Sequence, residues 1–314
     1  MTKKGNIKPN YVAVHDDLYS RKYPCVLFSR TQENNKTRDV WGYPIADTVE
    51  EMKFYRPLLD YQKQQPWRVA LNKPNDVDRA MSRVIGNALK LGQSIVSIDF
   101  SQYDATVKAG LQNRGFEYIS MLYQNTYSNK IDVLRERFGT IPIVTPEGIY
   151  SGNHGVPSGS TFTNEIDSIC QYLVAFNCPY VTDIQNSQIQ GDDGVYISSD
   201  PEALFKCFTD YGLKVNIDEN NKSRNKTFVS KDHCIYLQSL YHPDYNSEGL
   251  IRGVYSTYRA LLRIVFLERF DDFKDEISGK DYFAIRALSI LESCKYHPLF
   301  ENLVHYVWSL DKYK

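Results

Sequence analysis

Apolar residues recur at Val77, Met81, Val84, Ile85 and Ala88, the 3.6-residue spacing of one helix face. The pattern predicts a helix over 75–92, with acidic residues in its first turn and Gly92 at its stop. The β-branched run that follows, 94–100 (SIVSIDF), predicts a strand. Residues 105–135 pattern as largely helical, and 140–152 as a hairpin around Pro146, Glu147 and Gly148. The loop 155–160 (GVPSGS) opens another helix, with an apolar stripe at Phe162, Ile166, Ile169, Leu173 and Phe176. Thr163, Asp167 and Gln171 stack on its other side. Alternating apolar runs then flank 191–194 (GDDG), as in a β-hairpin whose turn residues tolerate left-handed backbone. Residues 201–213 predict a helix ending near Gly212, 234–242 a strand, and 250 onward helices. On such a helix Arg252, Arg259 and Arg263 would share roughly one face. The acidic stretch 271–281 reads as a solvated linker or helix start.

At 314 residues the chain can build two or three subdomains. Its 42% hydrophobic and 24% charged content is that of a folded soluble protein, so disorder is not indicated. Apolar runs fall short of the roughly 18 residues of a membrane span, and MTKKGNIKPN lacks a signal-peptide core, which predicts an intracellular protein. The six cysteines are scattered without a C-x-x-C pair, predicting reduced core residues, and the six histidines are equally dispersed. Net charge is −1, yet residues 1–40 carry eight basic against four acidic residues, a local field suited to a polyanion or to plain solvation.

The adjacent acids Asp192 and Asp193 need an explanation. Two unit charges about 4 Å apart repel by about 1 kcal/mol in water and about 4 kcal/mol at an effective dielectric of 20. On these residues alone the motif is either a turn or a cation site. Asp99 ends the 94–100 strand and Asp104 follows beyond a turn. If that strand lies beside the 186–198 hairpin, Asp99 and Asp192 meet at one sheet edge, as two-metal phosphoryl transfer requires. Carboxylates without His or Cys favour magnesium over zinc.

In order, KTRDVWGYP (36–44), DFSQYD (99–104), SGSTFT (158–163), GDD (191–193) and YGLKVNIDENNKS (211–223) resemble the motifs of viral RNA-dependent RNA polymerases. GVPSGSTFTNEIDS is most similar to those of double-stranded RNA viruses of the partitivirus and picobirnavirus type. The resemblance implies an α+β right-hand fold, with fingers, palm and thumb and an antiparallel palm sheet flanked by helices. It divides the chain into 1–74 (fingers portion), 75–104 (palm), 105–154 (fingers insertion), 155–242 (palm) and 243–314 (thumb). The fingers portion is shorter than is usual in the family, so a truncated or compact polymerase is expected.

The implied reaction is attack of an RNA 3′-OH on the α-phosphate of a nucleoside triphosphate, in replication and transcription of a viral RNA genome. By similarity Asp99 and Asp192 hold two Mg²⁺ ions, with Mn²⁺ a possible substitute, and Asp193 supports them. Asp104 would bind the ribose, Ser158 and Gly159 form the mobile nucleotide loop, and Thr163 completes the sugar network. The family often has Asn four residues after that Thr; here Asp167 stands there and Asn164 adjoins the Thr. Arg30, Lys36 and Arg38 would bridge the triphosphate, and Lys222, with Arg224 and Lys226 as alternates, would protonate pyrophosphate. Arg252, Arg259 and Arg263 would contact RNA phosphates from a thumb helix, while core packing is expected for Trp41 and Tyr103. Partners would be template and product RNA, NTPs and capsid protein, without a membrane segment, in the host cytoplasm or the virion. The competing readings are an inactive polymerase-like RNA-binding protein and a reverse transcriptase, against which Asp104 and the SG-x-x-x-T helix speak.

Overall fold

The computed structural model describes residues 23–31, 37–217, 227–266 and 279–310. In chain order the elements are β1 (Cys25–Thr31), β2 (Thr37–Gly42), α1 (Ile45–Gln62), α2 (Pro74–Leu91), β3 (Ser94–Ile98), α3 (Tyr103–Thr106), α4 (Ala109–Met121) and α5 (Ser128–Thr140). There follow β4 (Ile143–Thr145), β5 (Gly148–Tyr150), α6 (Thr163–Phe176), β6 (Gln188–Gln190), β7 (Asp193–Ser198) and α7 (Pro201–Asp210). The last are β8 (Phe228–Ser230), β9 (Cys234–Tyr236), β10 (Ser239–Ser247), β11 (Leu250–Tyr255), α8 (Thr257–Val265), α9 (Gly279–Ser293) and α10 (Phe300–Leu310).

The sheet that matters most is antiparallel, in the order β6-β7-β3-β8. Every residue of β3 is buried, because alternate side chains enter two different cores. Val96 and Ile98 join Tyr196, Ile166 and Ile169 on the face covered by α4, α6 and α7. Ile95 joins Val195, Ile197 and the Met81, Val84, Ile85 stripe of α2 on the other. Each such side chain contributes roughly 1.5–3 kcal/mol by leaving water. Both faces being packed, a one-residue slip of β3 would exchange the two cores, so the register that positions Asp99 is strongly specified.

A second sheet, β2-β1-β4-β5, joins the basic N-terminal hairpin to the 143–150 hairpin, with β1 parallel to β4. The third, β11-β10-β9, lies against α2: Ile251 N–H donates to Ser82 Oγ (2.9 Å) and Gly253 N–H to Asp78 Oδ1 (3.3 Å). The helices α8, α9 and α10 close a small core of Tyr255, Ala260, Ile290, Cys294 and Leu303.

The 75–92 helix, the 94–100 strand, the 140–152 hairpin and the 191–194 hairpin form where the pattern predicts them. Three expectations are corrected. The 234–242 stretch is two strands, folded back at Leu237 and Gln238, which both take left-handed backbone (φ 48° and 65°). Residues 250–255 are strand rather than helix, because they pair with β10. Phe176 does not extend the buried stripe of α6; it is exposed, while Asp167 and Gln171 on the polar side are buried against the hairpin. All six cysteines are free thiols, five of them buried.

Candidate active site

Asp99 sits one residue beyond β3, and the ladder Ile98↔Gly194 brings it opposite the start of β7. Its backbone is clamped on both sides: its N–H donates to Thr227 Oγ1 (3.1 Å), and its carbonyl accepts from Asn216 N–H (2.8 Å). The Asn216 side-chain amide donates to Asp99 Oδ2 (2.7 Å), which fixes the carboxylate.

The turn between β6 and β7 is a two-residue loop, closed by Gln190↔Asp193. Gly191 takes φ 62° and Asp192 does not, the arrangement of a type II′ hairpin, in which glycine occupies the first central position. Asp192 is thereby presented at the tip and Asp193 at the first position of β7. The helix α6 grips the turn from behind: Gly191 N–H donates to Ser168 Oγ (2.8 Å) and Gln171 Nε2 to the Asp192 carbonyl (3.2 Å). Behind Ser168 lies a fully buried Arg68. Its guanidinium donates to Ser168 Oγ, to Glu165 Oε1 (2.7 Å), to Gln190 Oε1 (2.9 Å) and to Asn164 Oδ1 (3.0 Å).

The acids feel one another. Burial, then Asp192, then Asp99, push the Asp193 carboxyl up to about 7. Burial, then Asp104 and Asp192, raise Asp167 well above the ordinary carboxylate range, and its Oδ1 has no hydrogen-bond partner. Asp104 keeps solvent access at its surface, yet partial enclosure and Asp192 raise its pKa while Arg38 opposes the shift. These couplings join Asp99, Asp104, Asp167, Asp192 and Asp193 in one electrostatic neighbourhood. Asp167 therefore belongs with the acids, whereas Asn164 is held by Arg68 and Gln190.

Facing this cluster is the basic hairpin. Arg30 and Arg38 are direct cross-strand partners on β1 and β2, a like-charge pairing that is unfavourable unless an anion compensates it. The 155–160 loop docks on the same strand: Trp41 N–H donates to Ser158 Oγ (3.1 Å). A Cβ on Gly159 would stand 1.9 Å from the Trp41 carbonyl oxygen, and one on Gly155 2.2 Å from that of Asp104. Only glycine allows these backbones to approach so closely. Glu51 anchors the far end of the loop, accepting from Ser160 Oγ (2.8 Å) and from Thr161 N–H and Oγ1 (both 2.8 Å).

The sequence model described as viral RNA-dependent RNA polymerase matches residues 27–304, most of the chain. The chain belongs to this family. It is 31% identical over 286 residues to a potential RNA-dependent RNA polymerase of human picobirnavirus (strain Human/Thailand/Hy005102/-), covering 88% of this chain and 51% of that one. Identity to the RNA-directed RNA polymerase of Cryptosporidium parvum virus 1 (strain KSU-1) is 30% over 229 residues, 66% of this chain and 43% of that one. The crystal structure of a human picobirnavirus RNA-dependent RNA polymerase superposes with a TM-score of 0.82 at 29% identity, over 92% of this chain and 56% of that one. The chain thus spans about half the length of the relatives it matches. The fold is the α+β right-hand polymerase fold expected for the family.

Among the residues expected to serve such a polymerase, Lys36 and Lys222 lie outside the described residues, as do Arg224 and Lys226. Thr163 Oγ1 contacts the carbonyls of Pro157 (2.7 Å) and Ser160 (2.8 Å), so its hydroxyl fastens the loop to the start of α6. Arg252 departs from expectation. It lies on β11, buried, with Asp78 (3.2 Å) and Glu248 (2.7 Å) as ion partners and Tyr296 beneath its guanidinium, and it braces α2 rather than facing RNA. Arg259 and Arg263 are on α8 as expected. Tyr103 is buried and donates to the Asp167 carbonyl (3.0 Å), and Trp41 packs on His154. Sequence reasoning missed Arg68, Glu51, Ser168, Asn216 and Thr227. Of these Ser168 and Asn216 lie inside stretches that carried the resemblance.

Proposed function

We propose that this chain is the catalytic core of an RNA-dependent RNA polymerase that copies viral RNA from NTPs. The observation that carries the reading is the meeting of Asp99 with the Asp192-Asp193 turn on adjacent strands of one sheet, among acids that raise one another's pKa. The donor set fits hard divalent cations: the acids offer oxygen alone, and their mutual repulsion is what a cation relieves. Asp99 and Asp192 would hold Mg²⁺, or Mn²⁺ in its place, with Asp193 in support. When bound, the ions lower the pKa of the primer 3′-OH and neutralise the triphosphate.

The remaining residues position the reactants. Asp104 accepts a hydrogen bond from the ribose 2′-OH, and Asp167 lies beside it. Arg30, Lys36 and Arg38 draw the triphosphate to the hairpin, where arginine can clamp two phosphate oxygens at once. Ser158 and Gly159 shape the loop that admits the nucleotide, and Thr163 holds that loop to α6. Lys222 donates a proton to the departing pyrophosphate. Arg259 and Arg263 take the RNA phosphates, contacts that carry no sequence preference.

In this reading 1–74 and 105–154 form the fingers, supported by the pairing of β1 with β4. Residues 75–104 and 155–242 form the palm. Residues 243–314 form the thumb, whose first strands are tied to α2 through Ile251 and Gly253. The partners are template and product RNA, NTPs and capsid protein, in the host cytoplasm or inside the virion. No described helix is long and apolar enough to cross a membrane.

The test is template-dependent incorporation of labelled ribonucleotides with magnesium, comparing the native chain with Asp192→Ala. The native chain incorporates and the variant falls to background; equal incorporation removes Asp192 from the chemistry. Preferential incorporation of deoxyribonucleotides would instead make it a reverse transcriptase.

A further inference from the structure

Among the described residues a second group of ligand-bearing side chains converges away from the catalytic acids. Asp232, His233 and His242 each offer a ligand atom, and these all lie within 4.8 Å of one another. The β9–β10 ladder explains the meeting. It pairs Tyr236↔Ser239, Ile235↔Leu240 and Cys234↔Tyr241, so one step further on His233 faces His242, with ring centres 5.2 Å apart. Asp232, in the turn ahead of β9, brings Oδ1 to 2.6 Å from His233 Nδ1.

Surrounding groups hold these side chains in place. Ser230 Oγ lies 2.7 Å from His233 Nδ1 and donates to Asp232 Oδ1 (3.0 Å). Asp244 N–H donates to His242 Nδ1 (3.1 Å), and the Asp244 carboxylate lies 3.3 Å from the same nitrogen. Phe228 and Tyr245 wall the two rings at 5.0 and 6.2 Å. Two imidazoles and a carboxylate suit zinc and other late first-row ions, and suit magnesium poorly. Hydroxyl and carboxylate partners of this kind orient ligating histidines.

We propose that Asp232, His233 and His242 form a zinc site that clamps the β8–β9 turn to β10. Three protein ligands leave a fourth tetrahedral position for water. The site is separate from the catalytic acids: Ser230 pairs with Ile95, about 13 Å along β3 from Asp99 at about 3.3 Å per residue. It nonetheless braces the edge strand β8, just ahead of which Thr227 holds the Asp99 backbone. The ion is a structural clip on the sheet that carries the chemistry, and its existence is independent of the proposed polymerase activity.

Metal-free full chain, titrated calorimetrically with zinc chloride in millimolar magnesium, tests the site. Asp192→Asn controls for zinc taken by the catalytic acids, and His242→Gln and His233→Gln each remove a ligand. The native chain and Asp192→Asn bind the ion; each His variant loses that binding event or weakens it by at least about tenfold. Zinc raises the melting temperature of the native chain but not of the His variants, and cobalt gives a tetrahedral absorption spectrum only where both histidines are intact. Equal affinity and stoichiometry in native and both His variants, loss of zinc in Asp192→Asn alone, or no zinc uptake by the native chain would overturn the proposal.

Discussion

Arg68→Met is the substitution whose consequence the structure defines best. Arg68 and Glu165 are both fully buried and paired at 2.7 Å, and Glu165 Oε2 already lacks a partner. Methionine keeps the apolar volume of the stem and removes the charge. A buried carboxylate left without its cation costs about 3–5 kcal/mol, more than the pair itself contributes relative to apolar packing. At roughly 2–4 °C per kcal/mol, the figure for domains of 150–250 residues, the melting temperature falls by at least about 6 °C. Arg68→Met with Glu165→Leu removes both charges, so the pair costs less than the sum of the single variants, and a double-mutant cycle measures that coupling. Activity falls with stability, since Arg68 also holds Ser168 and Gln190, which fix the Gly191-Asp192 turn. A single variant melting within 2 °C of native, about one kcal/mol, or a strictly additive cycle would refute the reasoning.

The raised Asp193 carboxyl makes stability pH-dependent. Its contribution is fully present below the ordinary value of 3.8 and is lost as pH rises through about 7. The full shift is worth up to about 4 kcal/mol, and solvent screening at this partly exposed turn reduces it to about 1–3 kcal/mol. Without divalent ions the melting temperature therefore declines between about pH 4 and 7, and magnesium flattens the decline; a flat profile without magnesium counts against the acid cluster. Burial, then Asp104 and Asp192, push Asp167 toward its uncharged form, which Asn imitates. Asp167→Asn keeps incorporation and ribonucleotide selectivity within a few-fold of native in single-turnover assays, and a loss of a hundredfold would mean the carboxylate is needed. Gly159→Ala puts a Cβ against the Trp41 carbonyl, and overpacking of about 1–3 kcal/mol raises the KM for NTP about tenfold. An unchanged KM would show that the loop does not depend on that approach.

The parts of the fold that were legible are those where local pattern and tertiary environment agree. The α2 stripe and the turn at 191–194 each carry their own periodicity and turn residues, and the motif order then tied Asp99 to Asp192. The break at Leu237 and Gln238 was not legible, because neither is a residue that ordinarily adopts left-handed backbone. Arg252 misled for a different reason. Its spacing to Arg259 and Arg263 fits a helix, but pairing with β10 and the buried Asp78 decide the conformation. Arg68 and Glu165 are 97 positions apart, and His233 and His242 meet only through a ladder register. Contacts of that kind have no local spacing to read.

The central claim is that Asp99 and Asp192 share divalent ions. Crystals of the native chain soaked with manganese and a nucleoside triphosphate, measured at the manganese absorption edge, address it directly. Two anomalous peaks about 3.5–4 Å apart, with both carboxylates as ligands, are the predicted result. Manganese bound with neither peak touching both Asp99 and Asp192 would contradict it.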